Sequence, residues 1–180
     1  NYVTAAKLLE RARVKAGAIE MAGRKFSTLV ALFEPFPSKK LLGFMQEFAA
    51  QGGRLIWSGP PPVLTSEGDP ALPLWQEIFG VDYEPDADEG ILVDRIYPVK
   101  PRTLTQPVAR VKDWIVGARR GYAMFLGFRP RDDQSKSLGY EMSTWFEILS
   151  AIGAYPATAR TASRALHAIW RRSSPTGPSP

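Results

Sequence analysis

Few side chains in this sequence could do chemistry. It has no cysteine and a single histidine, His167. Without cysteine there is no disulfide, no thiolate metal ligand and no thiol nucleophile. One histidine cannot build a multi-histidine zinc site. A Ser-His-Asp triad could draw only on His167, which lies in a C-terminal stretch of different character. Carboxylates and loops are what remain. Glu34 follows an apolar run, Ser58 and Gly59 close another, and Asp132 follows a third. In open α/β sheets ligands sit just beyond the carboxyl ends of parallel strands. Glu34, Ser58, Gly59 and Asp132 are therefore candidate ligand-binding residues, by position. No residue is assigned as catalytic, and the expected metal and cofactor complement is none.

Other polar clusters read more simply as surface. Residues 84–90 (EPDADEG) carry Glu84, Asp86, Asp88 and Glu89. An EF-hand loop would need alternating acids, a central glycine and a closing glutamate twelve residues in. That order is missing, and a solvated acidic turn accounts for the stretch. Asp132 and Asp133 are adjacent, so they would point apart, whereas paired glycosidase carboxylates face each other across a bond. Arg119 and Arg120 before Gly121 read as a charged turn rather than an anion site.

The elements that must position these groups centre on residues 26–59, FSTLVALFEPFPSKKLLGFMQEFAAQGGRLIWSG. A short apolar run (Leu29, Val30, Ala31, Leu32, Phe33) precedes a turn holding Pro35 and Pro37. Ser38 is a plausible cap for a helix whose apolar residues recur at Leu41, Leu42, Phe44, Met45, Phe48 and Ala49. Gly52 and Gly53 stop it, and Leu55, Ile56 and Trp57 form a second run. Strand, crossover helix and strand predict two parallel neighbours. Residues 58–62 (SGPPP) cannot continue a strand, because proline offers no donor and fixes φ.

On either side the pattern is plainer. Thr4 caps a helix expected over residues 5–15, closed by Gly17, and residues 18–21 suit a short strand. Residues 72–79 read as a short amphipathic helix ending at Gly80. Strands are expected at 91–99, 108–111, 114–116 and 122–128. An Arg-Arg-Gly turn would join the last two as an antiparallel hairpin. Residues 140–151 suit a last core helix with Met142, Trp145, Phe146 and Leu149 on its buried face. Two units follow: an α/β domain over 1–156 and a basic tail and linker over 157–180, ending in SSPTGPSP.

Composition fits a globular protein, at 44% apolar and 23% charged residues. No apolar run reaches the roughly 20 residues of a membrane span, so no membrane partner is expected. Of the net charge of +5, residues 157–180 hold +4 through Arg160, Arg164, Arg171 and Arg172 with no acid. The other 156 residues carry about +1, too little for a basic stripe on the folded body, so nucleic acid is not an expected partner.

The order of elements fits a flavodoxin-like α/β three-layer sandwich with a partly antiparallel extension. The phrase over 26–59, the later ARRGYAMFLGFRPRDD and the helix near the end of the domain resemble the middle, trimerisation-type domain of family-42-type β-galactosidases and related glycoside hydrolases. That domain is similar in fold to class I glutamine amidotransferases. The resemblance covers roughly residues 4–156. It implies an accessory or oligomerisation domain, whose partners are the other domains of a parent chain and further copies of itself. It also implies that the catalytic glutamates lie on a separate barrel. Amidotransferase chemistry would need a cysteine nucleophile and a histidine followed by an acid, and this sequence has neither. The leading helix begins almost at Asn1, where the family has a strand first, which reads as a segment of a longer protein.

Four functions compete. A non-catalytic accessory domain predicts an apolar patch, with Trp57, Trp75 and Tyr83 as its exposed candidates, though each taken singly suits the core better than an interface. A small-molecule binding or sensing domain predicts that Glu34, Ser58, Gly59 and Asp132 converge. A hydrolase would have to rest on Glu34 and Asp132, with nothing to activate a nucleophile. Nucleic-acid binding would rest on the tail. The first is the reading adopted.

Overall fold

The computed structural model describes residues 2–86, 91, 95–130, 148–149 and 151–154. The tail and linker over 157–180, His167, Asp132 and most of the helix expected at 140–151 lie outside the described residues.

The chain opens with α1 (Ala5–Arg11), where the Thr4 hydroxyl accepts from the Lys7 N–H at 3.3 Å. The helix is four residues shorter than the sequence suggests. Ala16 and Gly17 both have positive φ, as do Ala22 and Gly23. Two such residues in succession make the two-residue turn whose twist matches that of paired strands. Each Ala-Gly pair therefore closes a hairpin. The result is β1 (Arg13–Lys15), β2 (Ala18–Met21) and β3 (Arg24–Phe26), an antiparallel three-stranded sheet. Val14, Ile19 and Phe26 turn one face of it to the core. Arg13 and Lys15 are exposed. The period of two, with tertiary pairing, overrides helical continuation. Gly17 also has a steric reason: a Cβ there would stand 2.7 Å from the Gln51 carbonyl oxygen.

The main sheet begins with β4 (Thr28–Leu32), crosses through α2 (Lys39–Ala50) and returns as β5 (Arg54–Ser58). The two strands are parallel, with Ala31 opposite Trp57. Then come α3 (Leu72–Phe79), the two-residue strands β6 (Val81–Asp82) and β7 (Lys100–Pro101), β8 (Gln106–Val111), β9 (Trp114–Arg120) and β10 (Ala123–Leu126). The five-stranded order is β4-β5-β10-β9-β8. β4, β5 and β10 run parallel, and β9 and β8 are antiparallel additions. The protein is thus of the α/β class, with a mixed sheet.

Two sequence expectations change here. The hairpin between β9 and β10 is real, but its turn is Gly121-Tyr122; Arg119 and Arg120 belong to the strand, paired with Met124 and Ala123. Arg119 then donates to the Ala151 carbonyl, and Arg120 to that of Glu77. The run expected at 91–99 forms no strand where it is described. Its Tyr97 and Val99 N–H groups donate to Gly127 and Ile115 carbonyls, and Pro98 between them has no N–H to donate.

Alternation along the strands splits the core in two. Leu55, Trp57, Ala123, Phe125 and Ala118 face α2 and α3. Ile56, Met124, Leu126 and Val116 face the opposite way, against Ile148, Ala151 and Ile152. Strands buried on both faces read as continuous apolar runs, which is the character of 55–57 and 123–126. On the helix side, Trp75 stands edge-on to Phe125 with centroids 5.0 Å apart, and to Trp57 at 6.0 Å. Such pairs contribute about 0.5–1.5 kcal/mol each beyond the area they bury. Trp57 and Trp75 are fully buried and Tyr83 half-buried. The two tryptophans are therefore core, as each taken singly suggested, and not part of an exposed patch.

Candidate functional site

The carboxyl ends of β4 and β5 carry three of the four candidates. The parallel register puts Leu32 beside Ser58, and the Phe33 N–H donates to the Ser58 carbonyl at 2.8 Å. Glu34 follows directly, and Gly59 lies against Phe33. The strand ends thus bring Glu34, Ser58 and Gly59 into one neighbourhood. Asp132 falls outside the described residues.

Their side chains are used very differently. Ser58 is fully buried and its hydroxyl donates to the Phe128 carbonyl at 2.9 Å. The Gly59 N–H donates to Leu126 at 2.9 Å. Gly59 has φ +118, and a Cβ there would stand 3.3 Å from the Phe33 backbone, so glycine is required by conformation and space together. Residues 60–62 fold inward and are buried. The Trp57 indole N–H donates to the Pro60 carbonyl at 2.9 Å. Proline residues suit this buried loop because they bring no backbone N–H that would need a partner. The groups read from sequence as ligand contacts are thereby committed to joining β5, β10 and the following loop.

The next loop closes over the start of α2. The Ser66 N–H donates to the Pro37 carbonyl, and Leu64 bridges to Pro70. At the helix N-terminus the Leu41 N–H is taken by the Ser38 hydroxyl at 3.1 Å and the Lys39 N–H by the Glu67 carboxylate at 3.2 Å. A helix N-terminus attracts anions, and here the chain supplies its own. The Lys39 N–H, with help from the Thr65 hydroxyl, holds the Glu67 carboxyl below the usual range. Sequence reading missed Glu67, because it reaches α2 from a loop 28 positions away.

Among the described candidates Glu34 alone carries a carboxyl, and its environment is altered. It is half-buried, and burial pushes its pKa up. Leu32, Phe36, Val63 and Leu64 are exposed. They come from the end of β4 and from two loops that the Pro37–Ser66 bond ties together. Among the described residues no group of three His, Asp or Glu side chains could hold a metal ion. Nor is any helix among them long and apolar enough to cross a membrane.

The acidic stretch is described as far as Asp86. Glu84 accepts from Lys100 at 2.8 Å and Asp82 pairs with Arg102, so part of its charge is neutralised along β6 and β7. Another charged region was missed. Residues 2–26 hold six bases and two acids, an imbalance hidden when charge is averaged over the whole folded body. It is divided between α1 and the small sheet of β1, β2 and β3.

No protein-family model matches the chain, and no curated protein matches it.

Proposed function

We propose that this chain is a non-catalytic accessory and oligomerisation domain of a multidomain carbohydrate-active enzyme, a glycoside hydrolase. In this reading it is a flavodoxin-like, class I amidotransferase-like sandwich with an antiparallel extension. Its partners are other domains of the parent chain and further copies of itself. The observation that carries the reading is the make-up of the strand ends. Polar groups there are spent on internal hydrogen bonds, while Leu32, at the end of β4, and Phe36, Val63 and Leu64, in the loops joined by the Pro37–Ser66 bond, stand exposed. Exposed apolar side chains on these segments favour a protein contact over a polar ligand.

The test is the solution mass across a concentration series, by light scattering. Wild type should form a defined oligomer, and a Phe36→Asp/Leu64→Asp double variant should be monomeric with its fold retained. A wild-type monomer at high concentration would remove the assembly argument.

Glu34 favours a second reading. A half-buried carboxyl at a parallel strand end suits a small-molecule binding or sensing domain. Thermal stabilisation by a sugar or nucleotide, lost in Glu34→Gln, would support that reading instead.

A further inference from the structure

The two edges of the main sheet are finished differently. β8 carries Pro107, which has no N–H to offer, and Arg110, and its register with β9 shifts between Pro107 and Ala109 and again before Arg110. Proline, charge and bulges are the devices that keep an edge strand from pairing with another chain. β4 has none of them: its residues TLVAL include no proline and no charge, and its register with β5 is unbroken. The pairing also fixes which of its backbone groups face outward. The Arg54 N–H donates to the Ser27 carbonyl and the Phe33 N–H to that of Ser58. Ser27, Leu29, Ala31 and Phe33 therefore turn their backbone groups to β5, and those of Thr28, Val30 and Leu32 point away from it. Among the described residues no strand pairs with that side. The edge is accessible, since Leu32 is exposed and Thr28, Leu29 and Val30 are only half-buried, whereas β10 inside the sheet is buried throughout.

We infer that this edge pairs with the same edge of a second copy, antiparallel about a two-fold axis at Val30. The inference names the contact through which the proposed oligomer forms, and so rests on the assembly reading. Thr28 and Leu32 are evenly spaced about Val30. A two-fold axis there sets Val30 opposite Val30 and Thr28 opposite Leu32 of the second copy. Each outward N–H then meets a carbonyl, which makes about six hydrogen bonds and one continuous sheet. Val30 packs on the sheet face that carries Ile56, and Leu32 lies on the same side by alternation. Pairing thus covers the exposed Leu32 with the second copy's Thr28. The flanks favour the antiparallel direction. Arg24 and Lys25 precede the strand and Glu34 follows it, so antiparallel pairing sets acid towards base at both ends, where parallel pairing would set like against like. A second copy is also the one partner known to carry a matching bare edge of five residues.

The sequence has no cysteine, so thiols introduced into the whole chain report the register directly. On mild oxidation Val30→Cys should give a disulfide-linked dimer, because residues opposed across such a pair have Cα atoms about 5.5 Å apart, within disulfide reach. Thr28→Cys alone should not link, since it faces Leu32 and not itself, but an equal mixture of Thr28→Cys and Leu32→Cys should. Linking of Thr28→Cys alone as readily as Val30→Cys would overturn the proposal. A Thr28→Lys/Leu32→Lys variant sets like charges opposite each other, and its dimerisation should weaken about tenfold or more by light scattering. Circular dichroism follows its fold, and mixing it with Thr28→Glu/Leu32→Glu should restore the dimer. The two readings fail separately. A wild-type monomer at high concentration would remove the assembly reading and the edge contact with it. A wild-type oligomer that Phe36→Asp/Leu64→Asp dissociates and Thr28→Lys/Leu32→Lys leaves intact would overturn the edge contact alone.

Discussion

Replacing Ser58 by alanine tests whether the strand-end loop is structural. The Ser58 hydroxyl is fully buried and donates at 2.9 Å to the Phe128 carbonyl, 70 positions along the chain. That bond ties the end of β5 to the loop leaving β10. The substitution removes about 0.5–1.5 kcal/mol of net hydrogen-bond stabilisation. It also leaves the Phe128 carbonyl without its donor in a site closed to water, which raises the cost to about 1–3 kcal/mol. The backbone bond from the Phe33 N–H to the Ser58 carbonyl is unaffected, so local unravelling is not expected. Urea unfolding followed by tryptophan fluorescence reads the change, because Trp57 and Trp75 lie in the adjoining core. Ser27→Ala, at an exposed position, is the control and should stay within about 0.5 kcal/mol. A Ser58→Ala variant as stable as that control would refute the reasoning. The hydroxyl would then be available to a ligand, as the sequence first suggested.

Further outcomes follow from the same packing. Phe48 is fully buried, and Phe48→Ala should cost about 3–5 kcal/mol by leaving a cavity; Phe44, only half-buried, should cost clearly less, and the reverse order in urea unfolding would mean that α2 is rotated. Gly127→Ala would drive a Cβ into the Tyr97 carbonyl and should destabilise by about 1–3 kcal/mol or more, checked by thermal unfolding. Burial raises the Glu34 carboxyl, so the folded state favours the protonated form. That contribution is complete below the unfolded pKa and is lost as pH rises through the folded one. Glu34→Gln should therefore raise stability at neutral pH and flatten its fall with pH, and an unchanged profile would contradict the assignment. Glu67 is the opposite case: its lowered carboxyl stabilises above the unfolded pKa and ceases to as pH falls through the folded one. Glu67→Gln should lose that acid-side dependence, as measured by melting temperature against pH.

Much of the local structure could be read from side-chain periodicity. Leu41, Leu42, Met45 and Phe48 recur at helical spacing and are the buried face of α2. Ser38 was legible as its cap, because a hydroxyl one residue before an apolar periodic run has a backbone N–H to accept. The apolar runs at 29–33 and 55–57, separated by one helix, implied the parallel pair that β4 and β5 form. The end of α1 at Arg11 could not be read this way. Arg13, Val14 and Lys15 suit either a helix or a strand, and pairing with β2 decides between them. The candidate site shows the same division. Glu34, Ser58 and Gly59 were placed together because all three follow parallel strands. What each one does depends on partners far away in sequence: Phe128 for Ser58 and Leu126 for Gly59.

The amino-acid sequence by itself determined which chemistries are closed to this protein. The absence of cysteine and the single histidine are properties of composition that no folding can change. It also determined the α/β alternation, since the periods of helix and strand are written in neighbouring residues. Only the tertiary structure decided that Trp57 and Trp75 are core and that Glu67 caps α2. It alone placed Arg13 and Arg24 around one groove. Burial, capping across a loop and charge clustering depend on which distant segments meet, and that is set by the packing of the whole sheet.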